Sequence, residues 1–125
     1  MEALLLVFST FPDMASARQI GTLLVERQLA ACVNLVPAIE SIYRWQGKLE
    51  TAAETLAIFK TTAAAYPAFE QLLTDLHPYE VPEIIALHAT QVPSPYRAWV
   101  CSEVEPLISL SAHPATARST SNHEP

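Results

Sequence analysis

Residues Ala3 to Thr10 (ALLLVFST) are apolar almost without break until two small polar residues end the run, the pattern of a strand central in its sheet. Pro12 and Asp13 interrupt it. Asp13 can accept a hydrogen bond from a free amide at a helix start, and Ala17, Ile20, Leu23 and Leu24 follow at helical spacing, which predicts a helix from about Asp13 to Leu29. Gly21 falls inside it, where a missing side chain lets a helix approach a sheet closely. From Ala31 to Trp45 the odd positions are Ala31, Val33, Leu35, Pro37, Ile39, Ser41, Tyr43 and Trp45, whereas Asn34, Glu40 and Arg44 lie between them. Period two over that length predicts one long strand, bent near Pro37 because proline donates nothing to a ladder. Gln46 and Gly47 supply a tight turn, and a second extended run, Lys48 to Thr61, completes a long hairpin. A small domain cannot cover such a ribbon alone, so pairing with another copy is expected.

Helical spacing returns between Thr62 and Leu76, where Phe69, Leu72, Leu73 and Leu76 fall on one side and Pro67 sits in the first turn. The loop His77-Pro78-Tyr79-Glu80-Val81-Pro82 ends it, and Glu83 to Ala89 reads as a strand. Ser94-Pro95 opens a last helix carrying Tyr96, Trp99, Val100 and Val104 on one side and closed by Pro106. Beyond Leu110 the chain has small, polar and proline residues without periodicity. The expectation is one domain over residues 1–110 with a disordered tail over 111–125. The order β-α-β followed by β-α-β hints at a twofold duplicated α+β sandwich.

Composition narrows the function. Thirteen acidic side chains against seven basic ones give a net charge of -6, which repels phosphate backbones and acidic lipid surfaces, so no nucleic-acid partner is expected. Only Gly21 and Gly47 are glycines, too few for a glycine-rich phosphate loop. The first apolar run is far shorter than the roughly 20 residues that span a bilayer and follows no basic stretch, so neither membrane insertion nor secretion is expected. Cys32 and Cys101 cannot form a disulfide framework and are expected to be reduced thiols of a cytoplasmic protein.

The four histidines and two cysteines offer no metal-ligand pair within one helical turn. His77 stands at a helix end, where it can cap the last carbonyls or serve as a ligand. His88 follows an apolar run and suits packing, as does Cys32. Glu54, Lys60, His77, Glu80 and Glu83 are titratable groups near strand ends, and Trp45, Tyr79, Tyr96 and Trp99 can wall a ligand cleft beside them or pack at a subunit interface. Glu54 and Lys60 are six apart, so in a regular strand they leave one face together with Leu56 and Ile58. No nucleophile-base pairing stands out, and no enzyme is expected.

The segments Ala31-Cys32-Val33-Asn34-Leu35 and Ser41-Ile42-Tyr43-Arg44-Trp45-Gln46-Gly47-Lys48, then Glu54, Lys60-Thr61, His77-Pro78-Tyr79-Glu80-Val81-Pro82-Glu83-Ile84-Ile85, Tyr96 and Trp99 resemble the divalent-cation tolerance family called CutA. The resemblance runs over about residues 3 to 105. It implies a ferredoxin-like α+β fold: an antiparallel sheet with helices on one face, a long hairpin of the second and third strands, and a compact homotrimer built like the PII signalling proteins. It further implies a role in tolerance of copper and other divalent metals. Members implicated in copper binding carry cysteine where this chain has Ser9 and histidine where it has Leu76. Copper(I) prefers thiolate and copper(II) imidazole, so the expectation here is a divalent metal such as copper bound weakly, centred on His77. The ligand cleft, for a metal ion or small anion, would be lined by Trp45, Glu54, Lys60, Tyr79, Glu83, Tyr96 and Trp99. The alternative is a PII-like signalling or scaffold trimer without metal-specific function.

Overall fold

The computed structural model describes residues 2–104. Its elements are β1 (Leu4–Phe11), α1 (Met14–Glu26), β2 (Cys32–Trp45), β3 (Lys48–Thr62), α2 (Tyr66–Leu76), β4 (Ile85–His88) and α3 (Ser94–Glu103). The strands form one antiparallel sheet in the order β2-β3-β1-β4, so each β-α-β half leaves a gap that a strand of the other half fills. The tail expected over 111–125 and the Pro106 stop of the last helix lie outside the described residues.

The two faces of the sheet differ in what covers them. Leu5, Val7 and Phe11 of β1 and Ala57 and Phe59 of β3 pack with Ala17, Ile20 and Leu24 of α1 and Phe69 and Leu73 of α2 in one core. The Phe59 and Phe69 rings meet edge to face at 5.0 Å. At Gly21 an added Cβ would stand 3.1 Å from Val33 Cγ1, so the bare backbone is what lets α1 sit this close to β2. α3 does not join these helices: its Val100 and Val104 close a smaller cluster with Leu4, Ala31 and Ala65. Residues opposite one another in the ladder share a face, which puts Leu6, Phe8, Leu56, Ile58, Ile85 and Leu87 together on the other side of the sheet. There Ile85 is 50% and Leu87 48% exposed.

Helix ends account for the differences in boundary. Asp13 Oδ1 accepts the Ser16 amide at 2.8 Å, the cap the sequence predicts, and this bond holds its carboxyl below the usual value. α1 stops at Glu26, three residues short of the Leu29 that periodicity suggests. Gln28 adopts φ +60°, and its amide reaches the Val25 carbonyl while the Leu29 amide reaches that of Leu24. These paired bonds form a Schellman stop, with Leu24 and Leu29 both in the core. α2 begins at Tyr66 rather than Thr62. Thr61 and Thr62 remain in β3, where Thr61 Oγ1 donates to the Leu29 carbonyl at 2.6 Å and Thr62 Oγ1 accepts the Ala65 amide.

The bend near Pro37 is a β-bulge. Val36 lies opposite Leu56 and Ile39 opposite Glu54, so β2 spends one residue more than β3, with Ala38 at φ +60°. The extra residue turns the odd positions over. Val33 faces the helices with Phe59, whereas Ile39, Tyr43 and Trp45 share the opposite face with Glu54, Glu50 and Lys48. Beyond the β1 partners of β3, which end at Thr55, the hairpin continues as a two-stranded arm.

Candidate functional site

β3 keeps its alternation from Lys48 to Thr62, so Glu54, Leu56, Ile58 and Lys60 project from one face. Six residues of strand separate Glu54 from Lys60 by about 20 Å. Within one chain this spacing divides the residues expected in a single cleft into two groups.

At the Glu54 end, the Tyr79 hydroxyl donates to Glu54 Oε2 at 2.5 Å. Burial first, and the neighbouring Glu54 carboxylate second, push the Tyr79 phenol well above its ordinary value of 10, so it remains a donor at neutral pH. The Tyr79 amide donates to His77 Nδ1 at 3.1 Å, and His77 Nε2 lies 2.9 Å from the Thr10 carbonyl. With Nδ1 accepting, the neutral ring carries its proton on Nε2 and donates it to Thr10. The imidazole is stacked on Phe11 at 4.5 Å and is 8% exposed. Burial pulls its pKa below 6.5, against opposing contributions from the Thr10 bond and the Glu54 charge.

At the Lys60 end, Lys60 Nζ donates to Asn34 Oδ1. Cys32 lies directly opposite Lys60 in the ladder, and its sulfur is 3.9 Å from the Tyr96 hydroxyl. Burial, then the adjacent Cys32, raises the Tyr96 phenol. The Tyr96 and Trp99 rings are 5.6 Å apart, with both side chains partly open to solvent.

Trp45 belongs to neither group: it ends β2 at the hairpin tip, 45% exposed, opposite Lys48. Glu83 is exposed in the segment leading into β4. His88 is exposed at the end of β4, opposite Leu5. A cavity of about 580 Å³ at the start of α3, lined by Thr90, Gln91, Val92, Pro93, Ser94 and Arg97, shares no residue with either group.

The metal expectation meets a specific obstacle. His77 was expected to be a weak ligand, yet one ring nitrogen holds a proton for Thr10 and the other has its lone pair in the Tyr79 bond, so the folded ring has no electron pair to offer. Ser9, in place of the cysteine of copper-associated members, is fully buried with its hydroxyl unpartnered among the described residues. Among those residues no three His, Cys, Asp or Glu side chains gather closely enough to hold a metal ion.

The family model for the CutA1 divalent ion tolerance protein matches residues 5–103. The chain belongs to this family. It is 46% identical over 93 residues to the mouse protein named Protein CutA, covering 74% of this chain and 52% of that one. It is 45% identical over 100 residues to the divalent-cation tolerance protein CutA of Thermus thermophilus, covering 80% and 95%. The crystal structure of CutA from Xylella fastidiosa superposes with a TM-score of 0.79 at 42% identity, covering 82% of this chain and 98% of that one. The chain thus spans about half the length of its mammalian relatives and nearly all of the bacterial ones. The Thermus thermophilus and Escherichia coli relatives bear tolerance-protein names, and the one from Arabidopsis thaliana is named chloroplastic.

Sequence reasoning missed Asn34, Thr10 and Phe11, each of which touches a site residue. Alternation places Asn34 on the face of Cys32, which was a usable signal for the Lys60 contact. The contacts of His77 with Thr10 and Phe11 join positions 67 and 66 residues apart and left no local trace.

Proposed function

We propose that this chain serves divalent-cation tolerance as a non-enzymatic homotrimer whose ligand clefts form between copies, each cleft taking a small anion or a weakly held divalent cation. The observation that carries the reading is the division of the cleft residues. Lys60, Tyr96 and Trp99 stand at one end of a sheet face and Glu54 and Tyr79 at the other, too far apart to grip one small ligand from a single chain. Between the two ends lie Leu6, Phe8, Leu56 and Ile58, half-buried and flanked by exposed Ile85 and Leu87, an apolar surface of the kind that another copy covers. The arm that carries Trp45 extends past the domain's own core and favours the same arrangement.

In that assembly Lys60 supplies positive charge, Tyr96, Trp99, Tyr79 and Trp45 supply walls, and Glu54 and Glu83 supply acceptors. A cation recruited by the carboxylates would be held without His77 unless the imidazole gave up its Nδ1 bond to the Tyr79 amide, which accords with weak affinity. A cytoplasmic location is part of the proposal. Among the described residues no helix is long and apolar enough to cross a membrane, which favours no insertion by helices.

A thermal-shift screen of the full chain at pH 7.5 against inorganic phosphate, ATP, copper(II) and zinc(II) tests the reading. The expected result is a rise in melting temperature with at least one probe that is lost in Lys60→Ala or Glu54→Gln. No shift with any of them would favour the scaffold alternative.

A further inference from the structure

The cavity at the start of α3 has a single cation in its wall. Arg97 is part-buried, and its Nη1 donates to the Glu2 carbonyl at 2.6 Å. That neutral oxygen is the only side-chain partner of Arg97 among the described residues, because the Glu2 carboxylate accepts the Ala64 amide at 3.1 Å instead. In a chain of net charge -6, a fixed positive charge therefore borders an open space of about 580 Å³ with no carboxylate bonded to it among those residues. A guanidinium stays charged at every pH the fold meets, and it gains most from an anion that takes two of its N–H groups at once.

The rest of the wall is polar and neutral. Thr90, Gln91 and Ser94 bring two hydroxyls and an amide to the same space. Val92 packs on the cluster of Leu4, Val100 and Val104, which anchors the loop to the core. Pro93 and Pro95 flank Ser94, so little backbone freedom is left there for a ligand to quench. A carboxylate ligand has two oxygens, and the Arg97 fork alone would satisfy both. A phosphate monoester has three terminal oxygens, enough for the fork and for the neutral donors beside it. The volume falls within the range of small-molecule sites, which leaves room for the organic group that such an ester carries.

We propose that this cavity binds a phosphorylated small molecule, with Arg97 gripping the phosphate and Thr90, Gln91 and Ser94 donating to its remaining oxygens. The site goes beyond the cleft reading and shares none of the cleft's residues. Its side chains supply recognition, and no bond is made or broken there.

The test is an NMR titration of the full chain with ribose 5-phosphate at constant ionic strength and pH 6.5, where the ester is mostly dianionic. Ribose and acetate are the controls. Saturable shifts are expected at the Arg97 Nε–H and the Ser94 amide, with a Kd of about 1 mM or tighter. Ribose should give none, and acetate should bind at least about tenfold more weakly. Ser94→Asp places a carboxylate in the wall without removing the bond from Arg97 to Glu2, and should weaken the ester's binding by about tenfold or more. Arg97→Lys keeps the charge but not the fork and should weaken it by a similar factor. If that variant fails to fold, Ser94→Asp decides. No saturation, acetate binding as well as the ester, or full affinity in Ser94→Asp would each overturn the site. Lys60→Ala, in the cleft, should change nothing; loss of the shifts in that variant would put the anion in the cleft and overturn the site as well. A cleft that binds no ligand leaves these results untouched, so the two failures are distinguishable.

Discussion

The Tyr79 hydroxyl donates to Glu54 across 2.5 Å, tying the loop after α2 to β3 where that strand leaves the core for the arm. The bond joins a loop to a ribbon that has no β1 neighbour beyond Thr55, so it steadies the base of the arm as well as orienting a cleft residue. Because the acceptor is a carboxylate, the bond is of the stronger, charge-assisted kind.

Tyr79→Phe removes this bond and leaves the Glu54 carboxylate half-buried without its phenol. The expected loss is about 1.5–3 kcal/mol, read by denaturant unfolding at matched protein concentration. Spectrophotometric titration should show the wild-type Tyr79 phenol ionising above its ordinary value of 10, a component that is absent from the variant.

Most elements were legible in the sequence because their signals are local: the Asp13 cap, the Gln46-Gly47 turn and the apolar spacing of α2 each lie within a few residues. The end of α1 was not legible. Its left-handed position holds Gln28 rather than glycine, and only the burial of Leu29 beside Leu24 forces the stop. The site was legible as residues but not as geometry. Alternation along β3 places Glu54 and Lys60 on one face and their separation of six sets them about 20 Å apart, yet the turnover of the odd residues at Ala38 and the bond of His77 to Thr10 follow from pairings across the fold.

Gln28→Gly should stabilise the protein. A left-handed conformation costs a residue with a Cβ roughly 1 kcal/mol more than glycine, part of which the flexibility of glycine in the unfolded chain takes back. A gain of about 0.5–1 kcal/mol in chemical denaturation is expected, and Gln28→Val should be destabilising.

Ser9→Ala removes a fully buried hydroxyl that has no partner among the described residues. Relief of its desolvation should raise stability by about 1 kcal/mol. A drop in melting temperature would show that the hydroxyl has a partner in the assembled protein.

Stability should also depend on His77 in one direction. Its folded pKa lies below the ordinary 6.5, so between the two values the unfolded chain binds the extra proton and the folded chain does not. The contribution is complete above pH 6.5 and is lost as pH falls through the folded value. Unfolding free energies across pH 4.5–8 should therefore decline in acid, and less steeply in His77→Gln.

Whether other copies of the chain complete the cleft is decided by sedimentation equilibrium of this chain at sub-micromolar concentration. A folded species of about 41 kDa is expected, three times the 13.7 kDa chain. A folded monomer of 13.7 kDa that keeps its Tyr79–Glu54 bond would contradict it.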